Sequence, residues 1–178
     1  MQSAAKMQAR CLRGLLAGVF VLCVAVPSWA VDRLIPVKTR TDVTTSYWWM
    51  PKDGATATVV LFSGGGGGIG YRDGEPKSGN FLIRSRDEFA KAGFNVALMA
   101  NPSDMPRLTP AFRQSSEHSA DVRAVLLDIR SHSSAPVWLV GTSQGTISAA
   151  AVGIDLGPMV QGVVLTATLS GQQFGGSV

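Results

Sequence analysis

Hydrophobic and polar positions in this chain follow two periods in turn, one that suits strands and one that suits helices. Residues 34–40 and 43–50 alternate weakly and are rich in Val, Thr, Tyr and Trp, which predicts two strands or a hairpin, with Pro51-Lys52-Asp53-Gly54 as the turn that follows. Ala57–Phe62 (ATVVLF) is a continuous apolar run, the pattern of a strand buried on both faces. A glycine-rich loop, Ser63–Gly70, and a polar stretch, Tyr71–Asn80, come next. Phe81–Ala92 then sets Leu82, Ile83, Phe89 and Ala90 among charges and stops at Gly93, which predicts a helix. Phe94–Met99 is the next buried strand and leads into a loop over Asn101–Pro110. Over Glu117–His132 the stripe Ala120, Val122, Val125, Leu126 and Ile129 predicts a helix capped by Ser115 or Ser116. Pro136–Val140 reads as a strand, Gly145–Leu156 as a helix of small residues, and Val160–Leu169 as a strand.

Strands alternating with helices of this length imply right-handed crossovers. The fold class expected is α/β, a mostly parallel sheet of about six strands with helices on both faces. No repeat and no linker divides residues 31–178, so one domain is expected there.

The first 30 residues are different. Lys6, Arg10 and Arg13 precede an apolar run from Leu15 to Val26, and Pro27-Ser28-Trp29-Ala30 ends it. This is the layout of a secretory signal peptide cut after Ala30, and the run is shorter than the roughly 20 residues of a spanning helix. An exported, periplasmic or secreted protein with no membrane span after cleavage is the expectation. The formal charge of the 178-residue chain is +4, but the leader holds three of its 16 Lys+Arg and none of its 12 Asp+Glu. The remaining 13 against 12 leave about +1, so the basic balance does not point to nucleic acid. Both Cys, 11 and 23, lie in the leader, so the exported chain has no thiol for a disulfide or a thiolate metal site. No cofactor and no metal is called for.

The chemistry centres on Gly141-Thr142-Ser143-Gln144-Gly145, a G-x-S-x-G. With 20 Gly in the chain the match alone is weak. Its context gives it weight, because PVWLV precedes it and TISAAAVG follows, the strand and helix that a strained serine turn needs on either side. The plain alternative is a strand-to-helix turn in which Ser143 only caps the helix. The glycine loop also admits two readings. Gly65-x-Gly67-x-x-Gly70 satisfies the dinucleotide fingerprint, but Arg72-Asp73-Gly74-Glu75-Pro76 follows where a helix should open.

On these residues the chain resembles the α/β-hydrolase superfamily over residues 34–170. The resemblance implies that Ser143 is a nucleophile held between Gly141 and Gly145, acting on small acyl or ester substrates. It implies the backbone N–H of Gln144 as one oxyanion donor. A second donor would come from Gly64 or Gly65, in a loop similar to the HGGG loop of esterases and lipases, with Ser63 where His often stands.

The resemblance also implies an acid and then a His after the nucleophile. Asp155 is the sole acid after Ser143, and no His follows it. The seventh and eighth strands of that fold are not accounted for, so the chain reads as its C-terminally truncated first part, with impaired or absent activity. His118, in the first turn of its helix, and Asp104, after the fourth strand, would lie on the Ser143 edge of the sheet, so His118 is a possible base. A surface or capping role is the plainer reading of it. His132 would stand at the opposite edge. A noncatalytic binding protein of the same fold is the main alternative, with a nucleotide-binding α/β domain behind it. Trp48 and Trp49 read as core, with a pocket-lining role as the alternative.

Overall fold

The computed structural model describes residues 31–168. The expected signal peptide and the last ten residues lie outside that range. Six strands form the main sheet: β1 (Arg33–Arg40), β2 (Val43–Met50), β3 (Ala57–Phe62), β4 (Phe94–Pro102), β5 (Val137–Thr142) and β6 (Gly162–Thr166). Their order is β1-β2-β4-β3-β5-β6. β2 runs antiparallel to both neighbours, while β4, β3, β5 and β6 are mutually parallel. The parallel strands therefore open their C-terminal ends along one edge, with β3 and β5 at the centre.

β3 shows why the sheet is covered twice. All six of its residues are buried, and alternate side chains enter different apolar layers. Val60 and Phe62 join Tyr47, Trp49, Ala97 and Leu139 beneath Val122, Val125, Leu126 and Ile129 of α4 (Ser116–His132) and Ala149 and Val152 of α5 (Gly145–Asp155). Val59 and Leu61 join Trp48, Met50, Val96, Leu98 and Val140 on the other face, against Leu82 and Ile83 of α1 (Phe81–Arg84). Helices thus lie on both faces of a mostly parallel sheet, as the continuous apolar run at 57–62 requires. Trp48 and Trp49 are both core residues, one in each layer.

Local departures from the sequence reading are small. The helix expected over 81–92 is interrupted at Ser85 (φ −93°, ψ 4°), giving α1 and then α2 (Arg86–Lys91). β4 continues to Pro102 instead of ending at Met99, because its last residues still pair with β2, Thr45 opposite Pro102. The supposed loop before α4 also holds a short helix, α3 (Pro110–Arg113), capped by the Thr109 hydroxyl. α4 begins as expected, with Ser115 Oγ accepting from the His118 N–H.

One buried polar group ties the far edge of the sheet. Asn95, 2% exposed, accepts from Lys52 N and donates to Thr58 Oγ1 and Ser133 Oγ, which gives both polar atoms of its amide a partner. Val163, Val164 and Leu165 of β6 are about two-fifths exposed among the described residues. No helix among the described residues is long and apolar enough to cross a membrane.

Candidate active site

Ser143 stands at the turn from β5 into α5 with φ 51°, in the left-handed region that a residue bearing a Cβ rarely adopts. The turn is fixed on both sides. Ser143 N donates to Thr166 O of β6, and Ser143 O accepts from both the N–H and the hydroxyl of Thr146. Both flanking glycines are required by close approach. A Cβ on Gly141 would stand 2.5 Å from Gly145 O, and one on Gly145 would stand 2.1 Å from Phe62 O. The first turn of α5 is thereby seated directly on the end of β3, and the glycine loop that leaves β3 begins beside the serine.

Within that loop Gly64 is the residue against Ser143. A Cβ on it would lie 3.0 Å from Ser143 Cβ, 3.1 Å from Thr142 O and 3.3 Å from Asn80 Nδ2. Gly65, at φ 58°, is exposed and touches nothing comparable. Most of the loop's carbonyls are taken up internally. Ser63 O and Gly65 O accept from Arg113 Nη2, Gly64 O accepts from Gly67 N, and Gly66 O accepts from Leu108 N and Asn101 Nδ2. Gly68 O accepts from Ser63 Oγ. By contrast, the N–H groups of Gly64, Gly65 and Gln144 have no acceptor among the described residues. N–H groups left without an acceptor beside a serine can receive a developing oxyanion.

No helix opens within the glycines. The chain turns through a two-residue ladder, Tyr71–Arg72 with Glu75–Pro76, and the next helix starts at Phe81. The dinucleotide reading of Gly65, Gly67 and Gly70 lacks the helix N-terminus that would meet a pyrophosphate.

The two histidines are both engaged away from Ser143. His118 is 3% exposed between the rings of Phe62 and Phe112, with Nε2 2.9 Å from Ser148 Oγ. Burial, and then the nearby Arg113 cation, pull its pKa down to about 4, so it is neutral at pH 7. His132, at the far end of α4, sits 3.5 Å from Asp128 and beside Trp49. Asp104 is gripped by Arg40, which also holds Asp121, at 2.8–3.0 Å throughout. Those bonds hold the Asp104 carboxyl below its ordinary pKa and the Arg40 guanidinium above its own. Asp155, the last residue of α5, accepts from Ser119 Oγ of α4. Hence the serine, the elbow glycines, Gln144 and Gly64 come together, while His118, Asp104 and Asp155 join other networks. Among the described residues no group of three or more His, Cys, Asp or Glu side chains is gathered for a metal ion.

Two side chains against the glycine loop were not among the residues expected from the sequence. Asn80 caps α1 with Oδ1 and leaves Nδ2 beside Gly64, and its place just before an apolar helix start was the available cue. Arg113 is 1% exposed, and nothing local in the sequence marks it as buried.

The strand order, with β2 antiparallel and β4, β3, β5 and β6 parallel, is that of the α/β-hydrolase fold, and the likeness to solved structures agrees. A Pyrococcus furiosus esterase superposes with a TM-score of 0.57 at 17% identity, covering 78% of this chain and 49% of the esterase. A serine hydrolase without lid from Xanthomonas campestris gives 0.55 at 14% identity, over 79% of this chain and 63% of the other. A carboxyl esterase from Bacillus coagulans gives 0.51 at 14% identity, over 75% and 43%. The chain therefore has the α/β-hydrolase fold and spans about half the length of these proteins. No protein-family profile and no curated protein sequence matches it.

Proposed function

We propose that residues 31–168 carry the nucleophile and oxyanion-binding half of a serine-hydrolase site for small ester or related acyl substrates. Ser143 Oγ adds to the substrate carbonyl carbon, and the carbonyl oxygen takes up the negative charge against the Gln144 N–H and a Gly64 or Gly65 N–H. Collapse of that adduct expels the alcohol and leaves an acyl group on Ser143, which water then releases as the acid. The observation that carries this reading is Ser143 at φ 51° with Gly64 packed against it, where the Gly64, Gly65 and Gln144 N–H groups have no acceptor among the described residues.

A serine hydroxyl needs a base, and neither of the two histidines in the chain faces it. This chain on its own therefore acylates slowly and turns over poorly. Exogenous imidazole supplies the missing proton acceptor. Incubation with an activated acetyl ester, with and without imidazole, followed by peptide mass spectrometry tests this. Imidazole-dependent acetylation of Ser143, absent from Ser143→Ala, supports the proposal. The engagement of both histidines favours a second reading, a binding module that keeps the fold without the reaction; the absence of any acyl group on Ser143 would favour that one. Export to the periplasm or beyond, proposed from the leader, is tested by N-terminal sequencing of the secreted chain, with Val31 as the expected first residue.

A further inference from the structure

Arg113 is an isolated buried cation. It is 1% exposed, and burial draws its pKa down to about 10, still well above neutrality. No carboxylate meets it among the described residues. Its guanidinium donates instead to neutral oxygens: Nη1 to Ser148 Oγ at 2.8 Å, and Nη2 to Ser63 O at 3.3 Å and Gly65 O at 3.1 Å. Nε has no partner. Burying a charge with neutral partners alone is costly, so a cation kept in such a place needs a reason.

The geometry of the peptide unit supplies one. In a trans peptide the C=O and the following N–H point in opposite directions, and no cis peptide occurs among the described residues. Drawing Ser63 O and Gly65 O onto the guanidinium therefore turns the Gly64 and Gly66 N–H groups away from it. Gly64 is the loop residue that touches Ser143. Arg113 is itself anchored from the opposite side, through Ser148 on the same helix that begins at the serine elbow. Ser148 accepts from Arg113 and has its own proton left for His118 Nε2, so a neutral histidine completes the brace. One side chain thus links α3, α5 and the glycine loop, setting the loop against the elbow and adding a fixed positive charge behind it.

We propose that Arg113 is the positioning residue of the oxyanion loop, fixing the direction of the Gly64 amide by holding the carbonyls on either side of it. The proposal rests on the serine-hydrolase reading of Ser143 for its catalytic meaning, but its structural content can be measured separately.

The test compares the full chain with Arg113→Met, Arg113→Lys and Ser148→Ala. Hydrogen exchange is read at the Gly67 and Leu108 amides, which are bonded within the loop, with the α4 amides as the folding control. The rate of Ser143 modification by a fluorophosphonate in imidazole is read in parallel. Arg113→Met is expected to speed exchange at Gly67 and Leu108 at least about tenfold while α4 stays protected, and to slow modification about tenfold or more. Arg113→Lys keeps the charge but not the fork, and recovers only part of each loss. Ser148→Ala loosens the loop less than Arg113→Met. A folded Arg113→Met chain with wild-type loop exchange and wild-type modification rate overturns the proposal. If that variant does not fold, wild-type exchange in both of the others overturns it. Failure of Ser143 to react in the parent chain counts against the hydrolase reading, while the exchange data still judge the hold of Arg113 on the loop.

Discussion

Gly145 meets the Phe62 carbonyl so closely that a Cβ at position 145 would stand 2.1 Å from that oxygen. This contact sets the start of α5 on the end of β3, and through it the distance between the serine elbow and the glycine loop. Because the opposing atom is backbone, it cannot move aside as a flexible side chain can. Gly145→Ala should therefore cost more than about 3 kcal/mol, in the upper range of single substitutions. Gly79→Ala is the control, since a Cβ there meets nothing within 4 Å and its φ is not positive. Denaturant unfolding of the two variants should separate them widely.

Gly64 tests the site with much less damage to the fold. An added Cβ would press on Ser143 Cβ at 3.0 Å and Thr142 O at 3.1 Å, at a φ that alanine can adopt. Gly64→Ala should lose about 1 kcal/mol of stability, as mild overpacking does. Its imidazole-dependent acylation of Ser143 should fall about tenfold, since the loop must retreat from the serine. Unchanged acylation would separate Gly64 from the chemistry.

His118 makes stability depend on pH. Its folded-state pKa is lowered to about 4, first by burial and then by Arg113, from an unfolded value near 6.5. The unfolded chain binds the proton more readily, so this contribution is complete above about pH 6.5 and is lost as pH falls toward 4. Between pH 7 and pH 5 the loss should be about 2 kcal/mol. Urea unfolding at both pH values should show that loss in the parent chain, and a clearly smaller one in His118→Gln. Equal losses in the two chains would mean that other groups govern the acid limb.

Asn95 is a fold determinant with no part in the site. Replacing it by Ala leaves Lys52 N, Thr58 Oγ1 and Ser133 Oγ without its three bonds. A loss of about 2–3 kcal/mol is expected from thermal or urea unfolding. Acylation of Ser143 in the folded fraction should not change.

How much of this was legible in the sequence depends on the range of the interactions. β3 could be read from ATVVLF because burial on both faces leaves no polar position. The α5 elbow could be read because two glycines and a serine between a strand and a helix are local features. Ser115 likewise capped α4 as its position suggested. The fate of His118 could not be read, since its partner is Ser148, 30 residues away, and its rings are Phe62 and Phe112. Arg113 was hidden for the same reason, with Ser148 35 residues off and the loop carbonyls 48 and 50 off. Asp104 looked available because its sequence neighbours say nothing of Arg40, which lies 64 residues earlier. The short helix α3 was within reach, since Thr109-Pro110 is an ordinary helix start. Buried polar partnerships are decided by which elements the fold brings together, and local patterning does not record that.

In the proposed function Ser143 is the nucleophile, the Gln144 and Gly64 or Gly65 N–H groups receive the oxyanion, and His118 and His132, bound to Ser148 and Asp128, do not activate it. Mass-spectrometric measurement of acyl transfer to Ser143 from an activated acetyl ester, as a function of imidazole concentration, tests this reading most directly. Little acetylation is expected without imidazole, with a rise as imidazole concentration increases, confinement to the peptide bearing Ser143, and loss in Ser143→Ala. An unmodified Ser143 at every imidazole concentration, in a chain shown to be folded, would contradict it.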